Sequence, residues 1–457
     1  MKYSVSTKPA KLCLGSALLL AMTPSGFASI FYVAKSGTDD STCGLQKYKA
    51  CHTIQYTISN RSLSGDVIEI GPGTYAELIT IDRNLTLRGS LFGETRIDGM
   101  RSGTVVNVLG ITASLELLTI RNGFVSTSDP SFVAGGILNE GTLSLLETIV
   151  TNNSVTAAEP IFSPAAGGIL NEGTLKISYS SIASNEMTDG CIATGGILNY
   201  YGSVTIDHSV IAENTGPGIV ACELGPGAGP IASGYYDLFG ATIVSTTAFW
   251  KNGIAIDDDT INGIGSFTLD RSSIIDSDTA GVVNAGLLKI VNSTIFGSDG
   301  AGIDNFEGEL TGAFDMSNST ISGNLGDGVD VGLPGNSTIR NSILAGNVGD
   351  DCNGNLLSAG YNLVQNITDC SLLDLPDGGN DITGLSAKLR PLGDYGGPTP
   401  TMDLMPGSPA INAGNPAGCK DSTGSLITTD QRGFPRPHPP SGRCDIGAVE
   451  VQFPGKY

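Results

Sequence analysis

The stretch "GGILNEGTL" at residues 135–143 decides the fold, because the same nine residues recur at 167–175 and return in varied form as "GGILNYYGSV" from residue 195. Self-similarity at a nearly constant spacing is typical of repeat architectures. Within the copies, leucine and isoleucine alternate with polar residues, as in "GTLSLLE" and "GTLKIS". This is the pattern of strands with one buried face, and the phrase therefore predicts short strands in a stack of similar coils.

Asparagines mark the strand ends in each copy, and one set comprises Asn139, Asn171 and Asn199. A second series recurs at steps of 20 to 38 residues, at Asn152, Asn185, Asn214, Asn252, Asp278, Ser298, Asn324 and Asn347. In stacked coils, equivalent amide side chains lie above one another and hydrogen-bond. We therefore predict an all-β, single-stranded parallel β-helix, a solenoid of roughly twelve coils. A β-propeller or sandwich would instead need longer blades or antiparallel hairpins.

The N-terminus has the features of a signal peptide over residues 1–28. Three lysines precede an apolar run at 12–22, and small residues follow it up to Ala28. The run is too short to cross a bilayer, and a short buried segment is the alternative interpretation. We expect an exported mature chain without a transmembrane span, because no later stretch approaches the roughly 20 apolar residues that a membrane helix needs.

Charge and cysteine content narrow the function classes further. Removing residues 1–28 takes away three lysines and no acids, so the formal net charge falls from −21 to about −24. Such a surface repels nucleic acid. Eight of the nine cysteines remain, an even number that predicts disulfides in an exported protein. Neighbours in sequence suggest Cys43–Cys51, Cys191–Cys222, Cys352–Cys370 and Cys419–Cys444, although eight cysteines allow 105 connectivities.

Three groups of motifs resemble known families. Residues 30–100, with "GDVIEIGPGTY", resemble the N-terminal part of the pectin-lyase-like superfamily, which implies a right-handed solenoid whose first coil is covered by a helix near residues 51–59. The phrases "GDYGGPTPTMDLMPGSPAINAG", "DQRGFPRP" and "CDIGAVE" are similar to the choice-of-anchor Q domain of exported bacterial β-helix proteins. "GGIL" with "AFWKN" is similar to the repeats of the adhesin-like polymorphic outer-membrane proteins.

These resemblances divide the chain into four parts. A signal peptide at 1–28 precedes an N-terminal cap with the first coils at 29–100. Parallel β-helix repeats occupy 101–370. An irregular, disulfide-tied C-terminal cap at 371–457 is rich in proline, which does not suit regular strands.

Loop insertions of a solenoid stack on one face and commonly form its binding surface. Long insertions are predicted at 153–166, 186–194 and 216–246, and aromatic residues gather around the last of them. The candidate ligand-binding residues are Tyr200, Tyr201, Tyr235, Tyr236 and Trp250. Such rings either stack on sugars or pack the loops onto the helix.

Two acidic groups are candidates for other chemistry. Asp257, Asp258 and Asp259 form a run that either binds Ca²⁺, as pectate-lyase-like enzymes do by the resemblance, or is a solvated turn. No cofactor is required by the sequence. Asp207 and His208 in "IDHSV" are candidates for general acid–base catalysis, against the alternative of a surface histidine.

The sequence favours binding over catalysis. The acidic and basic motifs expected of a polygalacturonase-like enzyme are absent, and Lys251 and Arg271 are the only basic residues between Lys176 and Lys289. We expect a secreted or bacterial cell-surface protein, adhesin-like and monomeric, that binds an extracellular polysaccharide or host surface ligand. The alternative is a polysaccharide lyase or glycoside hydrolase, which a cleft joining a basic residue to two or more carboxylates would favour; a loop-covered face would favour binding.

Overall fold

The computed structural model describes most of the chain from residue 28 to residue 452. Its described ranges are 28–127, 132–157, 164–188, 193–199, 202–215, 231–232, 235–239, 242–244, 254–256, 266–277, 280–284, 287–305, 313–331, 337–376 and 378–452.

Three faces of parallel strands run along the described chain. The strands of the first face are Ile30–Val33, Val67–Ile70, Leu85–Arg88, Thr112–Glu116, Thr142–Leu146, Thr174–Ser178, Ser203–Asp207, Tyr235–Phe239, Ser266–Asp270, Leu287–Val291, Ala313–Ser317, Thr338–Arg340, Cys352–Ser358 and Cys370–Asp374. The second face has Gly73–Ala76, Thr95–Asp98, Thr119–Arg121, Ile149–Thr151, Ser181–Ala183, Val210–Ala212, Thr242–Val244, Ser273–Ile275, Thr294–Phe296, Thr320–Ser322, Ile343–Ala345, Leu363–Val364 and Ile382–Thr383. The third has Ile79–Ile81, Val106–Val108, Ile137–Asn139, Ile169–Asn171, Ile197–Asn199, Ile231–Ala232, Ile254–Ile256, Val282–Asn284, Ile303–Asn305 and Val329–Asp330.

Each strand pairs with its equivalent in the next coil, residue for residue. Leu143 pairs with Leu175, and Leu145 pairs with Ile177; all four side chains are buried. The polar residues between them, such as Lys176, face outward. The structure thus confirms the predicted right-handed parallel β-helix, with thirteen strands on the second face of the described chain.

The glycine pair of each repeat is required by the close approach of successive coils. A Cβ on Gly136 would lie 2.5 Å from the carbonyl oxygen of Gly168, and a Cβ on Gly168 would lie 2.5 Å from that of Gly196. Real Cβ atoms do not come so near to backbone oxygen, so a side chain at either position would push the coils apart. The repeated "GG" is therefore explained by the close spacing of successive coils.

Asparagine ladders cross the coils, as the repeat predicted. The Asn139 Nδ2 donates to Asn171 Oδ1 at 2.6 Å, and the Asn171 Nδ2 donates to Asn199 Oδ1 at 2.7 Å. In the second ladder, the Asn185 Nδ2 donates to Asn214 Oδ1 at 2.9 Å and to the Val150 carbonyl at 3.0 Å.

The second ladder corrects two positions of the predicted series. Its member in the first of these coils is Asn153, which donates to Asn185 Oδ1 at 2.9 Å. Asn152 instead occupies the bend, with a left-handed φ of 55°. Strand register likewise places Ser277, one residue before Asp278, in the ladder column. Asn252 lies outside the described residues.

A single left-handed residue turns the chain between the first and second faces in successive coils. These corner residues form a column along the helix: Leu117, Glu147, Tyr179, His208, Arg271, Asn292, Asn318, Asn341 and Tyr361. Asparagine tolerates this conformation better than most residues. The column matters because different residues in it are exposed or covered by the C-terminal part of the chain.

Two small side sheets grow from the insertions between the second and third faces. Their strands are Phe124–Thr127, Ser154–Ala157 and Glu186–Met187 in one, and Val133–Ala134, Ala165–Ala166 and Ala193–Thr194 in the other. Leu170 and Leu198 of the third face pack with Ala134 and Ala166 and are buried. The side sheets thus cover the third face over these coils.

The third predicted insertion is wrong in part. Residues 231–232, 235–239 and 242–244 form strands of the third, first and second faces, so the stretch 216–246 contains the strands of a coil. The 38-residue step from Asn214 to Asn252 had suggested an insertion, whereas "YYDLF" at 235–239 continues the first face.

A cap closes the N-terminal end of the solenoid. It contains the 3₁₀ turn Lys47–Lys49 and the helix Ile54–Asn60. Thr53 is the N-cap of this helix, and its side chain accepts a hydrogen bond from the Tyr56 N–H. Ile54 and Ile58 are buried in the core. The segment before the helix pairs with the edge of the first strand: the Tyr32 N–H donates to the Gly44 carbonyl, and the Cys51 N–H donates to the Tyr32 carbonyl. A solenoid must protect such an edge from association with other strands.

The C-terminal segment, residues 384–452, is irregular and runs along the side of the solenoid. Gln431 is buried, donates to Ser273 Oγ at 2.8 Å and accepts from Thr294 Oγ1 at 2.6 Å. Arg436 donates to Asn292 Oδ1 at 3.2 Å, and the Asn415 N–H donates to Asn341 Oδ1 at 3.0 Å. The segment therefore contacts several coils at their corner residues. It packs along the solenoid in addition to covering the last coil.

Disulfides join three of the sequence-neighbour pairs. The Cα–Cα distances are 4.9 Å for Cys43–Cys51, 5.2 Å for Cys352–Cys370 and 6.2 Å for Cys419–Cys444. The pair Cys191–Cys222 lies outside the described residues.

A buried charge network holds the C-terminal segment together. Arg436 and Glu450 are fully buried with 3.3 Å between Nε and Oε2, and Glu450 accepts hydrogen bonds from the backbone N–H groups of His438 and Asp445. Burial raises the pKa of Glu450 to about 7, against the opposing effect of Arg436, and Asp445 adds to the rise. The pKa of Asp445 is also raised by burial.

We expect Asn185→Leu to destabilise the protein by about 1 to 3 kcal/mol, because it leaves buried ladder partners unpaired. Thermal or denaturant unfolding measures this change. Glu186→Leu is the matched control, since the next residue is exposed. Equal midpoints for the Asn185 variant and the wild type would contradict the ladder.

Glu450 predicts a pH dependence of stability. Its folded-state pKa lies above its ordinary value of 4.5, so its contribution is complete below pH 4.5 and is lost as the pH rises through 7. The loss amounts to roughly 3 kcal/mol. Unfolding of the wild type and of Glu450→Gln should be compared between pH 4 and pH 8, where the unfolding free energy of the wild type should fall relative to that of the variant as the pH rises. A pH-independent difference would show that Glu450 does not titrate in this range.

Candidate functional site

A cavity of about 290 Å³ lies between the first face and the C-terminal segment. We call it the groove. Its lining residues come from two adjacent coils and from one irregular loop: Thr268, Asp270, Arg271, Lys289, Val291, Asn292, Asp421, Ser425, Leu426, Ile427, Thr428 and Thr429. The groove therefore exists only where the C-terminal segment is docked on the solenoid.

Regular strand geometry positions the groove's solenoid side chains. Asp270 ends a first-face strand, and Arg271 is the corner residue that follows it. Lys289 lies in the next coil, paired in register with Thr268. Outward positions alternate with buried ones along each strand, so these polar side chains face the groove while their neighbours Leu269 and Ile290 fill the core.

Asp421 enters from the opposite wall and is held firmly. Its Oδ1 accepts hydrogen bonds from the Thr423 N–H and Oγ1 and from the Ser425 N–H. Its Oδ2 lies 3.2 Å from the Lys289 Nζ. The side chain of Asp421 is 15% exposed and that of Lys289 is 35% exposed, so solvent screens this ion pair only in part.

The pKa values of the two carboxyl groups in the groove are shifted in opposite directions. Burial raises the pKa of Asp270, although Arg271 and Lys289 oppose the rise and Asp421 adds to it. Burial also acts to raise the pKa of Asp421, but hydrogen bonds from Thr423, Lys289 and Ser425 outweigh it and the net shift is downward. Oppositely shifted carboxyl groups in one cavity are a feature of acid–base sites.

The sequence-predicted pair Asp207 and His208 lies on the same side of the solenoid. The Asp207 Oδ1 is 2.5 Å from the His208 Nδ1. The imidazole stacks on Tyr179 of the preceding coil, with ring centroids 5.0 Å apart and planes at 17°. Tyr179 is 52% exposed. The arrangement is an exposed aromatic stack at two corner positions with a carboxylate beside it.

The aromatic and acidic candidates around the third insertion lie mostly outside the described residues. This holds for Tyr200, Tyr201 and Trp250, and for Asp257, Asp258 and Asp259. Tyr235 and Tyr236 belong to a first-face strand, in register with Ser203 and Val204. Their proposed roles remain predictions.

One cluster of possible metal ligands occurs in the described chain, formed by Asp39, Cys43 and Cys51. The two sulfurs are joined in a disulfide, so they offer no thiolate. Asp39 accepts hydrogen bonds from the His52 and Thr53 N–H groups at the start of the N-terminal helix. The cluster therefore does not fit a metal ion. Among the described residues, no helix is long and apolar enough to span a bilayer.

Sequence reasoning missed the groove. Lys289 and Arg271 were noted only as scarce basic residues, and Asp421 is distant from both in the chain. The available signal was the strand alternation that points Asp270 and Lys289 outward in adjacent coils. No local sequence pattern predicts that the loop containing Asp421 packs against Asp270 and Lys289.

No protein-family model matches the chain, and no curated protein matches its sequence. The solved structures that are similar include the following three. The pectate lyase Pel9A is 14% identical, with a TM-score of 0.45 over 93% of this chain and 96% of its own. The PL6 family polysaccharide lyase Pedsa3628 from Pseudopedobacter saltans is 13% identical, with a TM-score of 0.38 over 71% of this chain and 89% of its own. XylC in complex with xylose is 10% identical, with a TM-score of 0.43 over 93% and 98%. Because these scores are below 0.5, they carry no argument about function.

Proposed function

We propose that this protein is exported, acts at the bacterial cell surface or outside the cell, and binds a polysaccharide along the first face of its solenoid. The observation that carries the proposal is the groove, a polar cavity in line with the outward residues of that face. Binding is adhesin-like, and the C-terminal segment acts as a choice-of-anchor-Q-like domain that forms one wall. The disulfides support an oxidising compartment.

The first face offers an elongated polar track. Lys176, Thr205, Thr268 and Lys289 occupy one outward column, which strand register continues from coil to coil. Four coil steps separate Lys176 from Lys289, which is about 19 Å at the usual strand spacing. A track of this length accommodates an extended chain lying parallel to the solenoid axis.

The chemistry of the track suits hydroxyl groups. The groove presents carboxylates, an ammonium group and threonine hydroxyls, and a few placed polar groups of this kind provide orientation in ligand sites. Tyr179 adds an exposed ring at the corner, where one face of a sugar can stack. Net charge of −21 argues against nucleic acid as the ligand.

The side sheets also favour binding over catalysis at the third face. They cover its outward side chains in the coils that contain Leu170 and Leu198, so this face is closed by insertions as expected for a binding protein. The first face remains accessible in these coils, since Thr174 and Lys176 are exposed.

We expect Lys289→Ala to weaken polysaccharide binding about tenfold or more, because a charged hydrogen-bond donor is lost from the groove. The measurement is a glycan array followed by titration calorimetry on a bound glycan. Lys47→Ala, at an exposed position of the N-terminal cap, is the control and should bind as the wild type does. Failure of the wild type to bind any array glycan would refute the proposed function.

A further inference from the structure

We infer that the groove also hydrolyses glycosidic bonds of a neutral polysaccharide, with Asp270 as the proton donor and Asp421 as its ionised partner. This inference rests on the proposed function, since the same groove must first hold the sugar. It adds a reaction and a substrate class to that site.

Asp270 is placed as a proton donor must be. Its carboxyl group is half-buried at the end of a first-face strand, in a cavity whose other charged groups are Arg271 and Lys289 from the solenoid and Asp421 from the loop. Partial burial disfavours the charged form of a carboxyl group. A neutral carboxyl group at the operating pH can protonate a leaving oxygen, and this is the condition for general acid catalysis.

Asp421 is suited to the complementary role. Three donors saturate its Oδ1, while its Oδ2 faces Lys289 at 3.2 Å. These contacts keep the carboxylate ionised and fix its orientation. Two carboxyl groups on opposite walls of one cavity, with pKa values shifted in opposite directions, suit the acid and base roles of glycoside hydrolysis.

The reaction balances with water as the co-reactant. Asp270 gives its proton to the glycosidic oxygen as the bond from that oxygen to the anomeric carbon breaks, and the leaving sugar departs with a new hydroxyl group. Water attacks the anomeric carbon, and Asp421 Oδ2 accepts the proton that the water loses. The water oxygen remains on the anomeric carbon, and proton exchange with solvent restores both carboxyl groups.

Charge and size select the substrate class. The protein carries a net charge of −21, and Asp207 lies two coil steps from Asp270 in the same outward column. The net negative charge of the chain repels uronate polymers at long range, while Arg271 and Lys289 offset the carboxylates inside the groove. The cavity of about 290 Å³ is at the small end of ligand sites, so it holds a short part of the chain while the rest lies on the track.

The test uses the full mature chain with soluble xylan, glucomannan and mixed-linkage β-glucan between pH 4 and pH 8. We expect reducing ends to appear from at least one of them, with ¹⁸O from labelled water at the new anomeric carbon. Asp270→Asn should lower the rate at least about 100-fold while binding persists. Asp82→Asn is the matched control: its carboxylate pairs with Arg83 near the N-terminal cap, outside the groove lining, and the variant should keep wild-type activity.

The outcomes separate this inference from the proposed function. Binding without reducing-end release from any of the three polysaccharides would overturn hydrolysis and leave binding intact. Release that Asp270→Asn does not reduce would also overturn it. Loss of the acidic limb of the pH–rate profile in Asp421→Asn would support the assignment of Asp421, and an unchanged profile would refute it; thermal unfolding of each variant verifies that it folds.

Discussion

Residue-for-residue parallel pairing between successive coils is the constraint on which the structure depends. It places equivalent side chains in columns that run along the solenoid. The members of one column share an environment from coil to coil: they are buried, hydrogen-bonded in a ladder, or exposed on a face. Leu143 over Leu175 is a core column, Asn139 over Asn171 is a hydrogen-bonded one, and Lys176 leads an outward one. The glycine pairs preserve the spacing that makes such columns possible, because a Cβ at Gly136 would meet the next coil.

The C-terminal segment depends on the same regularity. Corner residues recur at one place in each coil, and Asn292 and Asn341 present their side chains to the segment from two different coils. Gln431 reads the second face in the same way through Ser273 and Thr294. An irregular chain can dock along several coils because the solenoid offers it equivalent partners at regular intervals.

The solenoid and its ladders could be predicted because they are written in local repetition. Register was less predictable: "TIVTNN" contains two asparagines, and only pairing shows that Asn153 enters the ladder while Asn152 makes the bend. The strands within 216–246 were interpreted as an insertion because the step from Asn214 to Asn252 is the longest of the predicted series. The groove could not be predicted, because Lys289 and Asp421 meet through tertiary docking of distant segments. Strand alternation specified only the solenoid wall of the groove.

The groove has one wall on the coil stack and the other on the docked segment, which gives it a thermodynamic consequence. A ligand that contacts both walls binds only when the C-terminal segment is docked on the solenoid. Well above its dissociation constant, such a ligand stabilises the docked segment by an amount that grows with the logarithm of the ligand concentration. By reciprocity, a change that weakens docking of the segment also lowers the affinity for the ligand. For any ligand that contacts both walls, the resistance of the chain to unfolding therefore rises with the concentration of that ligand.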